Sequence, residues 1–126
     1  MYSMKAMEHF LNPQNAGRLA AGPGVGSGEA LDPQCCGKCA LDVRLRDGQV
    51  AESRFVTEGC SGAIAACSAL TTLIDGQPIA AARALQADAI LTAIDGLPDE
   101  KHGCARQAIA ALRTALDAAA GEAESG

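Results

Sequence analysis

Six cysteines are spread along 126 residues, and their positions suggest chemistry. Cys35, Cys36 and Cys39 lie just before or inside the first clear strand pattern. Cys60 sits where a strand gives way to a helix, and Cys104 sits in the first turns of the last helix. The free N–H groups and positive dipole end of a helix N-terminus stabilise thiolate. Thiolate is the form that binds metal and attacks sulfur. Lys38, Lys101 and His102 flank these positions. A nearby ammonium lowers a thiol pKa, and imidazole is a good metal ligand. Soft thiolates with optional imidazole select zinc or iron–sulfur clusters. The wide spacing requires the fold to assemble the site, which argues against a zinc finger of paired CxxC units. Cys36-Gly37-Lys38-Cys39 is a lone CxxC. As a thioredoxin-like motif it would need a βαβ setting, and here a strand follows it.

Other roles compete for several of these residues. Cys67, inside a helical run, reads as a small packed side chain. Cys39 lies on the apolar parity of its strand, so core packing fits it as well as liganding does. His9, beside Phe10, fits a hydrogen-bonded helix interface. Lys38 and Lys101 fit solvated surface positions.

Composition narrows the function classes. The chain is 48% hydrophobic but only 2% aromatic, so its core must be aliphatic and rich in alanine. The formal net charge of -5 and scattered Lys and Arg argue against nucleic acid as a partner. No apolar run is long enough to cross a membrane, and the first ten residues lack a secretory pattern. The expected location is the cytoplasm, where cysteines serve metal or sulfur chemistry more readily than structural disulfides.

The elements that must position the cysteines follow from periodicity. Residues 2–11 read as a short helix stopped by Asn12-Pro13. The Gly- and Pro-rich stretch 20–28 fits a loop or an irregular edge strand. Cys39, Leu41, Val43 and Leu45 alternate with polar residues, as in a strand with one wet face. Asp47-Gly48 signals a hairpin, and residues 49–56 return with a parity shift that implies a bulge near Ala51-Glu52. Helices are expected over 63–75, from Pro78, over 87–94, and from about Asp99 to Ala119, with residues 121–126 as a flexible tail. Strands first and helices after imply one α+β domain over 1–126, with helices packed on one face of a small antiparallel sheet.

At these residues the chain resembles the U-type iron–sulfur scaffold family, the IscU and NifU N-terminal domain group. The resemblance runs over nearly the whole chain. Its HF-x-NP-x-N-x-G pattern is met by His9-Phe10-Leu11-Asn12-Pro13-Gln14-Asn15-Ala16-Gly17. Its GC-x-x-AIA segment is met by Gly59-Cys60-Ser61-Gly62-Ala63-Ile64-Ala65. Its LPPEK-x-HC-like segment is approximated by Leu97-Pro98-Asp99-Glu100-Lys101-His102-Gly103-Cys104. The first cysteine segment departs from the family's NP-x-CGD. Alignment on Pro33 and on strand parity puts Cys35 in the cysteine place, whereas alignment on the Cys-Gly pair puts Cys36 there. In either case the family's aspartate is missing, which implies a more tightly held cluster or a spare cysteine in its role. The histidine expected at 103 is Gly103, with His102 one residue earlier.

The resemblance implies a non-enzymatic scaffold. Cys35 or Cys36, Cys60 and Cys104 would be the core cluster or metal ligands. His102, the second cysteine of the Cys35-Cys36 pair, or Cys39 would be the fourth. Cys104 would take part in sulfur transfer, with Lys101 beside it. The implied partners are a cysteine desulfurase that delivers persulfide sulfur, apo iron–sulfur acceptors that receive a [2Fe–2S] cluster, and an Hsp70-type chaperone. The implied state is a monomer or a cluster-bridged dimer. A second reading holds Zn²⁺ on the same thiolates and makes the chain a sulfur acceptor or regulator of a desulfurase. A third, a thiol-redox enzyme using Cys35, Cys36 and Cys39, leaves Cys60 and Cys104 unexplained.

Overall fold

Alternation of Leu41, Val43 and Leu45 builds the centre of the molecule. The computed structural model describes residues 2–32, 37–58 and 61–125. In it three antiparallel strands pair in the order β1 (Val25–Asp32), β2 (Gly37–Arg46), β3 (Gln49–Glu58). Asp47 and Gly48 both take positive φ, 55° and 77°, as the tight turn between β2 and β3 requires. Arg44 pairs with Glu52 and Leu45 with Val50, so Ala51 is the extra residue of the expected bulge. The bulge restores the parity that sends both Val50 and Phe55 into the core.

The helices are α1 (Met4–Leu11), α2 (Ser61–Ile74), α3 (Ile79–Ala84), α4 (Ala87–Ala93) and α5 (His102–Ser125), the last preceded by a 3-10 turn, Asp99–Lys101. Ser3 caps α1 by accepting from the Ala6 N–H. The α5 helix continues beyond Ala119, where periodicity alone ends it. It lies across β1 and β2, while α2 packs against α1, α5 and β3. Cys39, Leu41, Val43 and Leu45 meet Leu70, Ile74, Leu112 and Leu116 in one apolar cluster. Alanines fill the remaining helix contacts, as the scarcity of aromatics requires.

The irregular stretch resolves as edge strand β1, and its glycines have a steric reason. A Cβ on Gly26 would stand 2.2 Å from the Ala119 nitrogen, and one on Gly28 would stand 2.1 Å from the Ala111 carbonyl oxygen. Two bare backbones thus let α5 settle directly on the sheet.

The polar face of β2 differs from expectation. Ala40 and Asp42 are buried, not wet, because the chain after α1 folds over them. Asn15 and Gly17 first hydrogen-bond the backbone of Phe55. Arg18 then donates from Nε and Nη2 to the two oxygens of Asp42, at 2.8 and 3.0 Å. The Leu19 N–H (3.0 Å) and Ser27 Oγ (2.6 Å) complete the carboxylate's partners. Helices still cover only the opposite face, as expected.

Candidate functional site

The first turn of α2 and the approach to α5 meet. A Cβ on Gly62 would lie 3.3 Å from Cys104 Sγ and 3.4 Å from both Cβ and Cδ of Lys101. A side chain at 62 would press on both residues and require them to give by a few tenths of an ångström. Ser61 opens α2 and donates to the Tyr2 hydroxyl at 2.8 Å, which ties the chain ahead of α1 to the same corner. Pro98 starts the 3-10 turn, its carbonyl accepting from the Lys101 N–H at 2.8 Å. That turn delivers Lys101 beside Gly62 and puts Cys104 in the first turn of α5, with its side chain buried.

His102 is held by the turn that precedes α5. Its Nε2 is 2.9 Å from the Leu97 carbonyl oxygen and 3.9 Å from Asp99 Oδ1, so the ring braces the turn. Lys38 pairs with Glu29 at 3.3 Å on the outer face of β2, opposite to Cys39. His9 Nδ1 meets Ser68 Oγ at 2.7 Å, the helix-interface role expected of it.

The core holds two further thiols. Cys39, from β2, and Cys67, from α2, are as deeply buried as Cys104, each about 1% exposed. Cys39 Sγ lies 4.0 Å from the Gln107 carbonyl oxygen. Hydrogen bonding with Cys67 draws the Cys39 pKa below its ordinary value, against the opposing effect of burial. Cys67 is pushed well above its ordinary value by the same bond, then by burial and by the charges of Cys39 and Cys104. All three cysteines are reduced. The periodic reading of Cys67 as packed core is correct as to burial, but it missed these two neighbours.

Gln107 was also missed. One turn beyond Cys104, its Nε2 donates to the Ala30 carbonyl at 2.9 Å and the Gly37 carbonyl at 2.7 Å. It thereby clamps the facing ends of β1 and β2 to α5. The sequence signal is a polar residue three after Cys104 and four before Ala111, on the helix face that is otherwise buried.

Cys35, Cys36 and Cys60 lie outside the described residues. Among the described residues, no three His, Cys, Asp or Glu side chains are disposed to hold a metal ion. Also among them, no helix is long and apolar enough to cross a membrane.

This sheet, with helices on one face and a cysteine at the start of the last helix, is the fold of the U-type scaffolds. A candidate iron–sulfur cluster assembly scaffold protein for the SUF system of Fervidobacterium islandicum superposes with a TM-score of 0.72 at 15% identity, covering 91% of this chain and 96% of the other. The chain belongs to the NifU-like N-terminal domain family, whose pattern matches residues 1–123. It is 35% identical over 116 residues to the iron–sulfur cluster assembly scaffold protein IscU 1 of Archaeoglobus fulgidus, covering 92% of this chain and 74% of that one. It is 42% identical to the nitrogen fixation protein NifU of Cereibacter sphaeroides over 90% of this chain, which corresponds to 46% of NifU.

Proposed function

We propose that this chain is an iron–sulfur cluster assembly scaffold, which receives sulfur from a cysteine desulfurase, binds iron and passes a [2Fe–2S] cluster to acceptor proteins. The observation that carries this reading is the seam at which Gly62 of α2 meets Cys104 and Lys101. Cys60 directly precedes α2 in the chain, and Gln107 ties the two strand ends that flank Cys35 and Cys36 to the helix bearing Cys104. The described residues that flank the three cysteine segments thus approach α5, and this supports the reading. Membership of the family, with relatives that include named scaffolds, supports the same reading.

In this reading Cys35 or Cys36, Cys60 and Cys104 hold the cargo. A fourth donor comes from the second of the pair, His102 or Cys39. Cys104 attacks the outer sulfur of the donor's persulfide, and the donor cysteine leaves as thiolate. The Lys101 ammonium beside it stabilises the attacking thiolate. Because Cys104 is buried, the first turn of α2 and the 3-10 turn must part to admit the donor.

The test is anaerobic reconstitution with iron and sulfide, followed by metal analysis and a visible spectrum. The expected result is iron and sulfide bound together with charge-transfer bands, both lost in Cys60→Ser and Cys104→Ser. Retained zinc with no visible bands would overturn it in favour of a zinc-bound sulfur acceptor or desulfurase regulator.

A further inference from the structure

Gln107 does more than clamp the strands, because one end of its amide has no partner. Nε2 donates to the Ala30 carbonyl at 2.9 Å and to the Gly37 carbonyl at 2.7 Å. Both partners are acceptors only, so the nitrogen end must face them and the oxygen end must face away. Gln107 is only 5% exposed. Among the described residues, its Oε1 is the one buried side-chain oxygen or nitrogen without a hydrogen-bond partner. A buried acceptor without a donor is costly, and native interiors keep few of them. Donation from the nitrogen end to two carbonyls also polarises the amide and enriches its oxygen in electron density.

The surroundings indicate what this oxygen meets. Gln107 follows Cys104 by three residues, so the two side chains rise from one face of α5 a turn apart, and both are buried. Side chains at this spacing start about 5 to 6 Å apart, close enough to share one metal ion. On its other side the amide holds Gly37, the residue after Cys36. Of the two components of the cargo, sulfide is an acceptor and cannot satisfy Oε1, whereas iron is a cation and can. Thiolate is a soft donor and amide oxygen a hard one, and ferrous iron accepts both. We propose that Gln107 Oε1 is an iron ligand which, with the Cys104 thiolate, holds the ferrous ion taken up before sulfide arrives. This rests on the reading of Cys104 as a cargo ligand. Binding is coordination alone: Cys104 releases its thiol proton to solvent, the amide stays neutral, and no electron moves. A neutral oxygen yields readily to sulfide, so Gln107 serves the loading step and gives way as the cluster forms.

The experiment measures anaerobic Fe²⁺ affinity of the reduced, sulfide-free full chain by chelator competition. Cd²⁺ is the comparison ion, since thiolates hold so soft an ion without help from oxygen. Gln107→Leu, close in size, is expected to weaken Fe²⁺ about tenfold and Cd²⁺ less than about twofold. Retained Cd²⁺ binding then shows that the variant is folded. Gln107→Glu keeps an oxygen at this place but loses the N–H groups that clamp the strands, and it is expected to bind Fe²⁺ at least as tightly as wild type. Unchanged Fe²⁺ affinity in Gln107→Leu would overturn the ligand. If Gln107→Leu loses both ions alike, Gln107→Glu decides: retained Fe²⁺ upholds the ligand, and lost Fe²⁺ reduces Gln107 to a clamp and overturns it. Cys104→Ser separates the two readings. Loss of Fe²⁺ there, with none in Gln107→Leu, overturns Gln107 alone, whereas unchanged binding of both ions in Cys104→Ser overturns the reading of Cys104 beneath it.

Discussion

Asp42 is a carboxylate placed almost wholly out of water, and its partners decide its charge. Burial raises its pKa, but the hydrogen bonds from Arg18, Ser27 and the Leu19 N–H outweigh that and hold it below the ordinary value. A depressed folded pKa gives stability that is present above the unfolded value, about 3.9, and is lost as pH falls through the folded one. Asp42→Asn should therefore cost about 2 to 3 kcal/mol in urea unfolding at neutral pH, since it leaves Arg18 without its counter-charge and two further donors poorly matched. The difference from wild type should begin to shrink as pH falls below the unfolded value and vanish only once it has passed through the lower folded one, where the carboxyl is protonated. An equal difference at every pH would mean that shape, not charge, holds this corner.

At the scale of elements, the contact between β1 and α5 seats the helix that carries Cys104. Gly28→Ala forces a Cβ to within 2.1 Å of the Ala111 carbonyl, where only backbone could yield. The helix must lift, and chemical denaturation should show a loss of about 3 kcal/mol. Substitution at Gly22, which has open space around it, should be nearly neutral by comparison. Most of this frame was legible from local pattern. The hairpin turn, the bulge at Ala51 and the order of helices follow from Asp47-Gly48, parity and the breakers Pro13, Gly76 and Pro98. Two features were not legible. Whether Gly26 and Gly28 belonged to a strand or a loop depended on Ala111, Ala115 and Ala119, residues far along the chain. The outer face of β2 read as wet because alternation reports polarity, whereas its burial depends on Arg18 arriving from a distant segment. At the site, the helix starts gave Cys104 its place. The contact of Cys39 with Cys67 joins a strand to a helix, and no local spacing encodes it.

The molecule as a whole is a three-stranded sheet, and such a sheet has two open borders. β1 forms one border and carries glycines together with the charge of Glu29, features that discourage pairing with another chain. β3 forms the other, and there Asn15 and Gly17 occupy the backbone of Phe55. Ser68 holds this segment in place, since its hydroxyl receives the Gln14 N–H at 2.8 Å and meets His9. The opening residues thus guard an edge as well as flank a site. Val56, partly exposed beside Phe55, shows what the guard covers. A chain clipped after Gly17 should keep a folded sheet at low concentration yet associate with itself as concentration rises, visible as light scattering that the intact chain does not show. Its failure would be one of solubility: an uncovered strand recruits its own kind, and the protein is lost to assembly before it is lost to unfolding.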